Sequence, residues 1–336
     1  QDQRLRQLFG RYATYCGASP FQAPATLMLV AHVEQEGVWL VEGGMARLAE
    51  TLAGLASDSG VEFRYGVAVK AITAGAGRVD GVELAGGERI AADAVVVNAD
   101  TAALASGLFG ARVARAAPPT PPSQRSLSAV TWNMVAEVED FPLSRHTVFF
   151  SDDYKAEFDD IFGHRRLPAR PTVYVCAQDR DADTGMAGRG PERLMCLINA
   201  PAIGDTHTFT DKEIEQCATH TFGILARCGL RLKRSPDRTT VTTPTGWNRL
   251  FPATGGALYG PVGHGWKASF SRPTARSRIP GLYVAGGSTH PGPGVPMAAL
   301  SGRMAAGLLL QEFAQRKSGS TSRSSATAMR GGTSTR

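Results

Sequence analysis

The residues most able to do chemistry lie in one C-terminal segment, Ile279–Ala306, which reads as strand, glycine-rich turn and helix start. Gly286 and Gly287 remove side chains where the backbone could come close to a phosphate or a flat ring. Pro296 suits a first helical turn, and the N–H groups near Met297 and Ala298 would point out of the helix start towards an anion or an electron-rich carbonyl. Ala298, Gly302 and Ala306 form a small-residue stripe that lets this helix sit tightly on a sheet. A tight connection with no ligand is the competing reading, but two glycine-rich turns in succession exceed what a connection needs. Elsewhere the chemical signals are weak. H-E-x-x-H, G-x-S-x-G and P-loop patterns are absent, which removes the usual support for hydrolase and nucleotide-triphosphatase readings. The five cysteines form no C-x-x-C pair, so buried free thiols in a reducing compartment are expected rather than disulfides or a metal site. The acids from Asp152 to Asp160 lie beside Lys155, Arg165 and Arg166, and read as a solvated helix face. His32 reads as an ordinary core or surface histidine, and His146 and His264 have no partner spacing for acid–base work. Phe149, Phe150, Tyr154, Phe158 and Phe162 read first as core, with a wall for an apolar ligand as the alternative.

The elements that must position the glycine turn follow from periodicity. Gly43-Gly44 opens an amphipathic helix carrying Met45, Leu48, Leu52 and Leu55, which Gly60 stops. Strands are expected at Val61–Tyr65, Val67–Ile72, Arg78–Leu84 and Glu88–Ile90, then a strand buried on both faces within Ala94–Asp100. The prolines 118, 119, 121 and 122 mark a break. Beyond it, alternating runs at Ser126–Val138, His146–Phe150, Thr172–Ala177 and Arg193–Asn199 suggest an antiparallel sheet, with a hairpin loop at Asp179–Glu192. Thr210-Asp-Lys-Glu213 is a capping box for a helix reaching about Cys228. A Gly/Pro/aromatic stretch, Pro244–Pro273, precedes a short buried strand at Gly281–Gly286 and a helix from Pro296 to about Gln315. The fold class is therefore α/β (α+β overall), with an antiparallel block inserted within an α/β unit.

Length and composition agree with this plan. At 336 residues, 43% apolar and 20% charged, the chain can bury a sizeable core. The apolar run Ala25–Ala31 is far short of the roughly 18–20 residues of a membrane-spanning helix. The net charge is +6, but Arg316, Lys317, Arg323, Arg330 and Arg336 sit in a Ser/Thr/Gly-rich tail without acids. The body is nearly neutral, which argues against a nucleic-acid partner, and the tail reads as disordered. The chain opens at Gln1 in polar, helix-like sequence, as if cut from something longer.

Gly281–Ala306 resembles the C-terminal flavin motif of the carotenoid oxidoreductase (bacterial phytoene desaturase-like) family. Val41–Met45, Ala94–Asp100, Phe251–Gly260 and Ser271–Pro273 match in the same order. The central runs Ser126–Trp132, Phe141–His146, Phe158–Phe162 and Thr172–Ala177 are similar to the purple-bacterial branch that desaturates 1-hydroxy- or methoxy-neurosporene-type polyenes. The resemblance implies a glutathione-reductase-like FAD domain with an inserted antiparallel substrate domain. It implies regions 1–37 (substrate and helical), 38–117 and 251–315 (FAD-binding), 118–250 (substrate) and 316–336 (tail). It implies FAD as cofactor, with Gly286 and Gly287 against the diphosphate and ribityl chain and Pro296, Met297 and Ala298 at the pyrimidine edge of the flavin. His290 would lie near the isoalloxazine, Val69 would meet the adenine end, and Asn98 and Ala99 would lie near the cofactor. Residues flanking Gly37, including Trp39, would line an apolar substrate cavity. It also implies a carotenoid substrate, a bacterial cytoplasmic location and peripheral attachment to a membrane surface, and it assigns no catalytic acid or base and no metal. The sequence departs from the family in having no G-x-G-x-x-G loop: Gly75 and Gly77 are followed by Gly81, one residue too far, in a hairpin pattern. The expectation is a C-terminal portion of a longer enzyme that holds FAD weakly or not at all by itself and is inactive alone. A carotenoid or retinoid isomerase or saturase of the same superfamily, or a non-catalytic lipid-binding remnant, are the alternatives. Oligomeric state is not legible.

Overall fold

The computed structural model describes residues 2–139, 141–181 and 190–328. Three sheets organise it. The first is a β-meander of β1 (Val69–Gly75), β2 (Arg78–Leu84) and β3 (Arg89–Ala91), all antiparallel. The second is a parallel pair, β4 (Val95–Val97) beside β11 (Leu282–Val284), in register Val95–Leu282, Val96–Tyr283 and Val97–Val284. The third is a six-stranded antiparallel sheet in the order β10-β5-β8-β7-β6, with β9 added against the far end of β5. Its strands are β5 (Ser128–Glu139), β6 (His146–Phe149), β7 (Val173–Ala177), β8 (Glu192–Ala200), β9 (Arg231–Lys233) and β10 (Thr239–Thr242).

Strand alternation explains the large sheet. On one face Val130, Trp132 and Met134 of β5 lie opposite Ile198, Cys196 and Leu194 of β8, and these lie opposite Val173, Val175 and Ala177 of β7. Helix α7 (Asp211–Arg227) covers that face with Cys217, Ile224 and Leu225, and all these side chains join one buried core. The helix starts where the capping box requires: Thr210 Oγ1 accepts from the Glu213 N–H, and Glu213 returns the bond to the Thr210 N–H. The opposite face turns Tyr174 and Cys176 towards the N-terminal helix α1 (Gln3–Thr14). The aromatic stripe is core there, with Tyr154 and Phe158 of α6 (Tyr154–Phe158) packed on Leu127 and Ile161.

Several expectations need correction. Residues 61–68 form no strand; Gly60 and Gly66 turn the chain, and pairing begins only at Val69. β4 is not buried on both faces: Val96 is 45% exposed, because β11 is its one neighbour among the described residues. Helix α3 (Met45–Asp58) forms between its glycines, yet Met45, Leu52 and Leu55 remain exposed. Helix α8 (Pro244–Leu250) arises within the Gly/Pro-rich stretch, capped by Thr243 with Pro244 in its first turn. The C-terminal helix α9 (Val295–Ala328) runs past Gln315 through most of the tail read as disordered, a segment with no proline to stop it. Asp160 is buried rather than solvated, held by Arg166 and by the Ala169 N–H. Cys196 and Cys217 are buried free thiols, whereas Cys228 is an exposed one. Residues 182–189 of the expected hairpin loop and 329–336 of the tail lie outside the described residues. Helices α2 (Leu29–Gln35), α4 (Thr101–Ala105) and α5 (Ala111–Ala114) complete the set.

Candidate flavin site

Ladder hydrogen bonds hold β4 and β11 side by side, so both chains leave the pair at the same end. Parallel strands present their carboxyl ends as a common edge, the usual place for a ligand in α/β sheets. β4 delivers Asn98, Ala99 and Asp100 to that edge, and β11 delivers Gly286, Gly287 and Ser288. The two turns are tied together. Asn98 Nδ2 donates to the Ala285 carbonyl at 3.1 Å, and the Thr101 N–H donates to Ser288 Oγ at 3.0 Å. Asp100 caps α4 through the Ala102 N–H, and burial pushes its carboxyl above the ordinary range.

The two turns and the segment Phe251–Gly260 enclose a cavity of about 170 Å³, lined also by Ala257 and Leu258. Its walls depend on missing side chains. Gly286 has φ +123°, and a Cβ there would lie 3.0 Å from Asn98 Nδ2. A Cβ on Gly260, φ +67°, would lie 2.7 Å from the Ser288 Cβ. Arg272 locks the assembly from behind. It is 8% exposed, and its guanidinium donates to the carbonyls of Tyr259 (3.0 Å), Gly287 (3.1 Å) and Pro261 (2.9 Å). Burial lowers its affinity for its proton, with Asp100 and Cys16 acting in the opposite direction.

Of the residues expected to meet a cofactor, Asn98, Ala99, Gly286 and Gly287 line this one cavity. Val69, His290, Pro296, Met297 and Ala298 are not among its lining residues. Val69 opens β1, paired with Leu84 and 38% exposed. His290 precedes a cis peptide to Pro291, and its N–H donates to the Pro273 carbonyl. Pro296, Met297 and Ala298 form the first turn of α9, where the Ala298 N–H already donates to the Gly294 carbonyl. The Gly286 N–H is likewise spent, on Ser301 Oγ at 2.7 Å, so Gly286 acts at this edge through its lack of a side chain. The sequence reading did not single out Asp100, Phe251, Gly260, Arg272 and Ser288. All five lie within the matched runs Ala94–Asp100, Phe251–Gly260, Ser271–Pro273 and Gly281–Ala306, which are the signal that points to them.

Residues 3–310 match the family described as Flavin containing amine oxidoreductase. The chain belongs to that family. Its members use FAD, and the glycine-walled edge between β4 and β11 fits a flat ring or a phosphate chain approaching backbone. At about 170 Å³ the cavity is smaller than the roughly 300–1,000 Å³ of a small-molecule site. Among relatives, the chain is 55% identical over 336 residues to the hydroxyneurosporene desaturase of Rubrivivax gelatinosus, covering 100% of this chain and 63% of the relative. It is 46% identical over 316 residues to the hydroxyneurosporene desaturase of Cereibacter sphaeroides, covering 94% and 63%. The chain thus spans about 63% of the length of these curated relatives. A solved oxidoreductase from Methanosarcina mazei shares the fold, with a TM-score of 0.55 at 18% identity over 90% of this chain and 64% of that one. Among the described residues, no helix is long and apolar enough to cross a membrane.

Proposed function

We propose that this chain forms the larger part of an FAD-dependent desaturase acting on a 1-hydroxy- or methoxy-neurosporene-type carotenoid. The observation that carries the reading is the glycine-walled cavity at the carboxyl ends of β4 and β11, in a chain 55% identical to a hydroxyneurosporene desaturase. Gly286 and Gly287 would lie against the FAD diphosphate and ribityl chain, with Asn98 and Ala99 beside them. Pro296, Met297 and Ala298 would face the pyrimidine edge, His290 the isoalloxazine, and Val69 the adenine end. Helix α9 starts with an N–H on Met297 that has no acceptor among the described residues, and a helix start favours the negative charge that reduction places on a flavin. Arg272 donates to the Gly287 carbonyl and so fixes the turn. The large sheet, within 118–250, would be the substrate domain and its open face the wall for the polyene. Bound FAD supplies the two-electron acceptor for removal of two hydrogens, one as hydride and one as a proton released to water. The residues at the cavity supply orientation, and no side chain there is assigned as acid or base. An apolar substrate also implies attachment to a membrane surface, for which the exposed Trp39, Trp266 and Phe270 are suitable anchors.

The test joins this chain to the part of the relatives' length that it does not span. The purified protein is expected to show flavin absorbance and to shift the visible spectrum of a hydroxylated neurosporene to the red as conjugation lengthens. Gly286→Val is expected to abolish most flavin retention. A joined protein that folds but holds no flavin would overturn the reading. One that holds flavin and changes polyene geometry without adding a double bond would replace it with an isomerase.

A further inference from the structure

The proposed flavin site uses none of the polar groups gathered between the large sheet and helices α1 and α6, and two of these are buried without partners. β7 turns Tyr174 away from the core, and α1 crosses above it with the Arg11 guanidinium 5.8 Å from the ring centroid. The same helix touches the start of α6. Gln7 Nε2 donates to the Ser151 carbonyl at 2.8 Å, and a Cβ on Gly10 would lie 3.5 Å from Tyr154 Cε1. Arg11 therefore meets Tyr174 between helix and sheet, and Tyr154 packs against the neighbouring turn of the same helix. The Tyr174 hydroxyl is paired with His146 Nδ1 at 2.7 Å. The others are not paired: Tyr154 is 6% exposed and its phenol oxygen has no hydrogen-bond partner, and Arg11 Nε is buried and equally unpartnered among the described residues. No carboxylate pairs with the Arg11 guanidinium among the described residues. Glu157, on the next turn of α6, is already engaged by the Thr172 N–H at 3.0 Å and Asn199 Nδ2 at 3.1 Å. Buried donors are ordinarily satisfied, and two left unsatisfied on adjoining helices mark a missing partner.

The geometry points to a recognition site for the oxygenated end of an otherwise hydrocarbon chain, with Arg11 Nε–H donating to a hydroxyl or ether oxygen and the Tyr154 hydroxyl completing the pair. This inference rests on the desaturase reading for its substrate. The surroundings match a hydrocarbon with a single polar end: Phe158, Leu127, Phe150 and Ile161 pack beside Tyr154. A neutral oxygen is favoured over a carboxylate. Glu157 is buried nearby, and burial pushes its pKa up to about 7 even though Arg11 acts in the opposite direction.

The test uses the joined, flavin-loaded protein and two polyenes of equal length, one ending in a tertiary hydroxyl and one in plain hydrocarbon. Binding is read from quenching of protein fluorescence, and turnover from the visible spectrum. The hydroxylated polyene is expected to bind about 10- to 100-fold more tightly, the range of a charge-assisted hydrogen bond. Arg11→Met is expected to lose most of that preference, and Tyr154→Phe part of it, with affinity for the plain hydrocarbon unchanged. Equal affinity of the wild-type protein for both polyenes, or variants that weaken both alike, would overturn the inference. So would tighter binding of a carboxylate-ended analogue. A preference that persists without desaturation of either polyene would sink the desaturase reading and leave the site standing. Desaturation without any preference would do the reverse.

Discussion

The two halves of the molecule satisfy their apolar surface very differently. The six-stranded sheet buries one whole face: β5, β8 and β7 align their inward side chains row by row, and α7 seals that face. The parallel pair β4–β11 has a smaller core around Leu104, Val113, Leu282 and Val284, and leaves apolar surface open on Val96 and along α3. Antiparallel strands linked by short connections find their partners locally, whereas a parallel sheet is stable only when covered on both faces. The contrast teaches that the chain carries a self-contained antiparallel unit and an open-sided parallel one.

The largest expected effect falls on the closed half. Trp132 is 2% exposed at the centre of β5, and Trp132→Ala should cost about 3–5 kcal/mol, read as a shift in urea midpoint. A shift below about 1 kcal/mol would show that the large sheet is less self-sufficient than its packing indicates. The joint between the halves comes next. Arg272→Met strands three backbone carbonyls and should cost about 2–3 kcal/mol while loosening the Gly287 turn, visible as faster amide exchange at residues 286–290. Unchanged exchange there would mean that β4 and β11 hold the turn without it. The smallest effect belongs to the open half. Val96→Ala should move stability by about 0.5 kcal/mol at most in this chain. In the joined protein of the relatives' full length it should cost several times more if that face is then covered.

Much of this fold was legible because it rests on local rules. Strands β5 to β8 of the large sheet, the capping box at Thr210 and the turn after β11 each declare themselves within a few residues, whereas β9 and β10 do not. The misjudged elements depended on distant partners. Residues 61–68 have strand-like composition but no strand to pair with, and the valine run of β4 promised a burial that a single neighbour cannot give. The candidate site divides in the same way. Gly286 and Gly287 stand out because glycine repetition has few other uses, and Asn98 and Ala99 came from the resemblance. Arg272 lies in the matched run Ser271–Pro273, but its role carries no local signal, because its three acceptors are backbone carbonyls whose positions follow only from folding.

The sequence by itself determined where the chain turns, which runs alternate, and that a glycine-rich edge follows a short apolar strand, because these depend on side-chain size and periodicity within one segment. The tertiary structure alone decided that Asn98 meets Gly286, that Arg272 fastens the turn from behind, and that Arg11 and Tyr154 share an unmet hydrogen-bonding need. Those relations join residues far apart in the chain, and only packing brings them within a few ångströms of one another.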